Sequence, residues 1–223
     1  MMSGSLNLIT MNKVTLQEKN WKGKFGKYYT LRNPLDTKEM DRLYLENYGI
    51  TRTQLNKEFL GNLSPATKVL EVGANVGTQL IFLQKMGFKN LYGIEINRKA
   101  IEISKSIAKN IDIIQAFASD LPFKNNYFDL VFTSGVLIHI APSNIKKAIG
   151  EIHRVSKKYI WGFEYYAANY TEVLYRGNKN MLWKANFCQM YLDRFPNLKL
   201  VKEKKIKYVD SDNIDSMFLL KKH

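Results

Sequence analysis

The chain has 223 residues, 45% of them hydrophobic, with 34 Lys and Arg against 20 Asp and Glu, a formal net charge of +14 and one cysteine. That length supports one domain with one core, and no apolar run reaches the span of a bilayer. The N-terminus lacks the basic start and long apolar core of a signal peptide, and lone Cys188 rules out an internal disulfide and argues against a thiolate metal site, so a cytoplasmic protein without a metal is expected.

Residues 1 to about 12 are expected to be loosely attached. Asn20 to Asn33 mixes Gly, Lys and aromatics and reads as too irregular for a helix, with Pro34 closing it. Helices are predicted from Asp36 to about Tyr48 and from Thr51 to Leu60. Residues 1–60 then form a cap over a ligand site, and 61–223 the main domain. From Thr67 apolar runs alternate with helical stretches, which predicts a mostly parallel sheet with helices on both faces. The runs are Val69–Val72, Leu91–Ile94, Ile111–Ala116, a stretch within Asn126–Ile140, and Tyr159–Glu164. Ser143 is read as the cap of a helix reaching Ser156, and Lys179 to Phe195 as a further helix. Ala167 to Asn180 is a loop. Leu198–Val209 and Asn213–Leu220 read as a closing strand pair turned at Asp210-Ser211-Asp212.

The richest stretch is Val69-Leu70-Glu71-Val72-Gly73-Ala74-Asn75-Val76-Gly77, a buried strand, a tight turn and a helix start. A dinucleotide turn needs a middle glycine so that backbone can meet pyrophosphate. Here that place holds Asn75, which tolerates the left-handed backbone, and the acid Glu71 would repel a pyrophosphate. An acid suits a cation instead, such as the ammonium and sulfonium of S-adenosylmethionine. About 20 residues on, Glu95 ends the second run, where a carboxylate can take both hydroxyls of a ribose.

The motif order resembles the class I S-adenosylmethionine-dependent methyltransferases, clearly over Thr67 to His139. The resemblance implies a Rossmann-like seven-stranded sheet, mostly parallel with an antiparallel C-terminal strand. Its implied cofactor set is Tyr29, Arg32, Glu71, Gly73, Asn75, Gly77, Glu95, Ile96, Ala118, Ser119 and Ser134, with S-adenosylhomocysteine as product. Arg32, with Tyr29 beside it, is expected to meet the methionine carboxylate. Phe117 departs from the family, which usually has an acid there for the adenine amino group, so Asp120, Ser119 or backbone must serve, or the ring is merely packed. Over nearly the whole chain the pattern is similar to the methyltransferases associated with pseudaminic acid biosynthesis. The carrying segments are "WKGKFGKYYTLRN" from Trp21, "EVGANVG" from Glu71, "YGIEIN" from Tyr92, "DLPFKNNYFDLVFTSGVLIHI" from Asp120, "EYYAANYTEVLYRG" from Glu164 and "MYLDRFPNLKLV" from Met190. This implies an acidic amino sugar, its nucleotide-linked form or a precursor as methyl acceptor, at nitrogen or oxygen.

Methyl transfer asks a protein mainly to align donor and acceptor and to remove water. A hydroxyl acceptor needs a base. His139 is the first candidate, since histidine titrates near neutrality; the alternative is a histidine merely bonded to backbone. Glu164 is the second, with Tyr165 and Tyr166 as surfaces for a sugar ring and Arg176 for a phosphate or carboxylate. The basic segment Lys22 to Lys27, interleaved with aromatics, is read as functional, and Lys202 to Lys207 as a solvated strand face. The charge also admits an RNA methyltransferase, although the Asp/Asn-Pro-Pro-aromatic motif of amino-methylating DNA enzymes is absent at Thr133–Val136. A methyltransferase-like fold that only binds, and another small-metabolite acceptor, are the remaining readings.

Overall fold

The structure is a computed structural model that describes residues 14–33 and 36–223. The readings made for residues 1 to 12 and for Pro34 fall wholly or mainly outside the described residues. Four helices come first: α1 (Leu16–Lys22), α2 (Lys24–Arg32), α3 (Thr37–Tyr48) and α4 (Arg52–Leu60). Then β1 (Lys68–Val72), α5 (Thr78–Lys85), β2 (Asn90–Glu95), α6 (Arg98–Ile107), β3 (Asp112–Gln115) and β4 (Phe128–Ser134) alternate. A 3₁₀ turn at Leu137–His139, α7 (Pro142–Val155) and β5 (Ser156–Tyr165) follow. The chain closes with β6 (Thr171–Glu172), β7 (Trp183–Lys184), α8 (Phe187–Arg194), β8 (Leu198–Lys207) and β9 (Ile214–Lys222).

Seven strands form one sheet in the order β3-β2-β1-β4-β5-β9-β8. The first five are parallel, and β9 and β8 join antiparallel. The chain winds outward from β1 to β3 and then returns to β4 on the other side of β1. The carboxyl ends of β1 and β4 therefore open a crevice, which is where such sheets bind ligands. Central strands β1 and β4 are covered on both faces, which explains their continuous apolar runs. On one face α7 lays Ile145, Ala148, Ile149, Ile152 and Val155 against Leu70, Val131 and Ile160, together with Tyr191 of α8. On the other, Leu80 and Leu83 of α5 and Leu55, Phe59 and Leu60 of α4 pack on Val69, Leu130, Phe132 and Trp161.

The structure changes several local readings. Asn20–Asn33 is not irregular: most of it belongs to α1 and α2. Thr15 and Glu18 form a capping box that starts α1, and Gly23 ends it. Phe25 and Tyr29 share one face of α2, and Trp21 of α1 packs on both, with ring centroids 5.1 Å away in each case. A Cβ on Gly26 would lie 1.9 Å from the Trp21 carbonyl oxygen, so glycine is what lets α2 fold back on α1. Ser143 does not cap α7; Ala141 holds the cap position and Pro142 opens the helix. The helix expected over Lys179–Phe195 is confined to Phe187–Arg194, because Asn186 caps it and Trp183–Lys184 pairs with Thr171–Glu172 instead. Finally, α4 belongs to the sheet's own helical layer rather than to a cap. It is α1 and α2 that carry residues over the crevice.

Candidate active site

A cavity of about 210 Å³ opens beyond the carboxyl ends of β1, β2 and β4. Its base is the turn after β1, where Gly73, Asn75 and Gly77 all take positive φ, at 79°, 48° and 87°. The left-handed backbone expected of Asn75 is present. A Cβ on Gly73 would sit 2.6 Å from Val136, so this glycine lets the loop after β4 close onto the turn. Glu95 ties the turns after β1 and β2 together: one carboxylate oxygen accepts from the Asn75 N–H and the other from the Asn97 N–H, each at 2.8 Å. Burial raises the pKa of Glu95, and those backbone donors oppose the rise.

Glu71 borders the same cavity and is 2% exposed. Burial raises its pKa well above the usual carboxylate range, opposed by the Arg52 guanidinium and aided by Glu95. Its Oε2 has no hydrogen-bond partner, and neither have Gln79 Oε1 and Trp21 Nε1, which line the cavity with it. Buried polar atoms are rarely left unpaired, since each costs about 1–3 kcal/mol. Two acceptors and one donor without a protein partner therefore lie among the residues that line this cavity.

At the far side Phe117, Ala118 and Ser119 form the wall. The Ser119 hydroxyl donates to Glu18 of α1 at 3.3 Å, whereas Asp120 turns back through its N–H to the Phe117 carbonyl and is not among the lining residues. The cap docks through Thr30, 2.8 Å from the Asn75 side chain, and through Asn97, whose amide donates to the Trp21 carbonyl at 2.9 Å. Tyr29 lines the cavity, and burial raises its pKa.

His139 faces the cavity from the 3₁₀ turn. Its Nδ1 lies 2.8 Å from the Met181 carbonyl oxygen, which can only accept, so Nδ1 carries the proton and Nε2 keeps its lone pair. Burial lowers its pKa to about 4, so the ring is neutral at neutral pH. Trp21 packs on it at 4.5 Å between ring centroids and Tyr175 at 5.1 Å.

The structure thus gathers Tyr29, Glu71, Gly73, Asn75, Glu95, Ile96, Ala118, Ser119, Ser134 and His139 around one cavity, with Gly77 closing its turn. Five other candidates lie outside its lining. Arg32 is exposed at the end of α2. Tyr165 is half-buried, and Tyr166 lies under Lys205, 3.5 Å from its ring. Arg176 is exposed beside Tyr175. Glu164 is 1% exposed and turned into the loop after β4, accepting from the Val136 N–H at 3.0 and 3.2 Å. A proton acceptor for substrate cannot be so enclosed, which corrects the reading of Glu164 as a base. Sequence reasoning missed Trp21, Glu18, Gln79 and Asn97. The Thr15–Glu18 capping box was a readable signal for the second of these. It also missed Arg52, fully buried behind the site, which donates to Ser134 at 3.1 Å and to Tyr44 at 3.0 Å.

The fold is the Rossmann-like methyltransferase fold. Residues 70–159 match the family described as "Methyltransferase domain". Over 95 residues the chain is 33% identical to an uncharacterized methyltransferase from Synechocystis, covering 43% of this chain and 44% of that protein. The chain thus spans less than half the length of the curated relatives it matches. A crystal structure of a Pyrococcus horikoshii protein superposes with a TM-score of 0.66 at 16% identity, over 88% of this chain and 99% of that one. A Burkholderia thailandensis 1,6-didemethyltoxoflavin N1-methyltransferase, solved with S-adenosylhomocysteine, gives 0.61 at 12% identity over 76% of each chain. Such low identities speak for the fold alone. No helix among the described residues is long and apolar enough to cross a membrane.

Proposed function

We propose that the protein transfers a methyl group from S-adenosylmethionine to an acidic or nucleotide-linked amino sugar of the pseudaminic acid type, at nitrogen or oxygen. The observation that carries the cofactor reading is the cavity beyond the carboxyl ends of β1 and β2, lined by the acids Glu71 and Glu95. Glu71 suits an ammonium, and Glu95, at the end of β2, suits a ribose. Ile96 and the segment Phe117–Ser119 would hold the adenine, by packing and backbone rather than through an acid. The cofactor supplies a methyl already activated on a sulfonium, and the chain contributes alignment, exclusion of water and a proton acceptor.

That acceptor is His139 Nε2. Its neutral state and its fixed tautomer suit removal of a proton from a hydroxyl or an amine. The described lining holds Glu18, Glu71 and Glu95 and no lysine or arginine. The group that enters is therefore neutral or cationic, which an amino sugar satisfies with its amine or a hydroxyl, while its carboxylate or phosphate stays at the rim. Tyr165, Tyr166 and Arg176 would contribute there only from outside the cavity.

The test is transfer of labelled methyl into a size-fractionated extract of the source organism, after calorimetric measurement of S-adenosylhomocysteine binding. Label in small anionic products supports the sugar reading. Label in RNA replaces it with the reading that the net charge of +14 favours. Absence of cofactor binding sinks both.

A further inference from the structure

The basic segment of the cap finds no place in the active site. Its aromatics Trp21 and Tyr29 line the cofactor cavity, but Lys22, Lys24 and Lys27 line a second, shallow cavity with Arg98 and Lys99 at the start of α6. Gly23 and Asn97 complete that lining, so it contains five cations and no acid. Among the described residues only Lys99 has an acidic partner, Glu102 at 3.3 Å. The first turns of α2 and α6 contain no acid either. Five like charges meeting where α1, α2 and α6 join repel one another, whereas Lys202 and Lys204 of β8 share Glu58 at 2.8 Å each.

We infer that this junction of the cap and α6 binds a phosphate or diphosphate group, and that the bound anion holds the cap closed over the cofactor. The cations line one cavity from α1, α2 and α6 rather than a track, which suits a compact anion better than a nucleic-acid backbone. The link to the cofactor runs through Asn97. Its side chain donates to the carbonyls of Trp21 and Gly23 at 2.9 and 3.2 Å, and its own N–H donates to Glu95. An anion that neutralises Lys22, Lys24 and Lys27 against Arg98 and Lys99 favours the docked cap, and the docked cap positions Trp21, Tyr29 and Thr30 at the cavity. By linkage, cofactor and anion then strengthen each other's binding. This coupling rests on the methyltransferase reading; the anion site does not.

The probe is inorganic diphosphate added to the full chain, with ionic strength held constant by potassium chloride. Melting temperature and S-adenosylhomocysteine affinity are both read. The expected result is a higher melting temperature than chloride gives and cofactor binding tightened by about fivefold or more. A nucleoside diphosphate that acts at lower concentration than inorganic diphosphate identifies the source as a nucleotide-linked ligand; equal potency identifies the free anion. In Lys24→Gln/Lys27→Gln both responses should vanish while the anion-free melting temperature holds or rises, because repulsion is relieved. Arg98→Gln, on the opposite element, should give the same loss and stands in if the double variant misfolds. Equal effects of diphosphate and chloride, or equal responses of variants and wild type, overturn the inference. So does an RNA oligomer that binds with a steep salt dependence while diphosphate does nothing. Diphosphate stabilisation without any cofactor binding would keep the anion site and remove the methyltransferase reading.

Discussion

Replacing Glu164 with alanine separates a residue that builds the site from one that reacts in it. The buried carboxylate accepts from the N–H of Val136, with further hydrogen bonds from Thr133, Leu137 and Ile138. Alanine leaves those backbone donors of the loop between β4 and the 3₁₀ turn buried and unpaired, at about 1–3 kcal/mol each. Against this, burial lifts the Glu164 pKa from 4.5 to about 7, so the ionised wild-type side chain costs roughly 3 kcal/mol at pH above 7. A raised folded-state pKa means the wild-type stability contribution is complete below the unfolded value and declines as pH rises through 7. Glu164→Ala lacks that dependence. The variant should therefore be destabilised by about 3 kcal/mol or more at pH 5.5, and by markedly less at pH 8.5. A loss of that size lowers the melting temperature of a chain this long by about 6–12 °C. Chemical denaturation at both pH values, with cofactor affinity measured alongside, is the assay. Because Val136 and Gly135 line the cavity, cofactor binding should fall with stability. If Glu164→Ala keeps wild-type stability and cofactor affinity at both pH values yet loses turnover, the carboxylate acts on substrate and the placement argued here is refuted.

Other substitutions probe the remaining parts. His139→Asn should lower turnover by about 10²–10⁴-fold with cofactor affinity within a fewfold of wild type, read by single-turnover methyl transfer. Because burial holds His139 near 4, the wild-type rate should show no inflection near pH 6.5 and should fall only as the ring protonates well below it. Gly26→Ala drives a methyl into the Trp21 carbonyl oxygen at 1.9 Å and against the Asn97 amide at 2.8 Å, so the cap should undock and cofactor affinity fall by about tenfold or more, while the sheet core melts near the wild-type temperature. Glu95→Ala removes the acceptor shared by the Asn75 and Asn97 N–H groups and should abolish measurable S-adenosylhomocysteine binding in calorimetry.

The parallel sheet was legible because its strands are buried on both faces and carry uninterrupted apolar runs, and because positive φ at Gly73, Asn75 and Gly77 needs residues that tolerate it. The placement of Glu71 and Glu95 on the cavity was legible for the same reason: both lie at strand ends, where sequence position fixes location. The cap was not. In α1 and α2 Gly26 and four lysines, with Gly23 between the helices, dilute the 3.6-residue pattern, and the helices form because Trp21 packs on Phe25 and Tyr29, a tertiary effect. Glu164 was misread for a different reason. A strand-end acid is equally placed to face solvent or to turn under the next loop, and only the loop's unpaired N–H groups decide between them.

Arg52 lies beyond sequence reasoning altogether. Arginine is among the residues least often fully buried, yet this guanidinium lies within the core, 5.0 Å from the ring of Trp161 and 4.9 Å from that of Phe163. It donates to Asn56 at 2.8 Å, and its Nη2 has no partner. Its field reaches Glu71 and Asp215, lowering the pKa of each against the burial that raises them. Among the described residues the cavity lining holds acids and no lysine or arginine, and this arginine behind Ser134 opposes the rise that burial imposes on the Glu71 pKa. The chain thus divides its charge: acids line the cavity, one buried arginine supports them from behind, and the lysines of the cap stand outside. The acceptor proposed above, an acidic amino sugar, would meet these two environments with a neutral amine or a hydroxyl at the methyl and its negative charge at the rim.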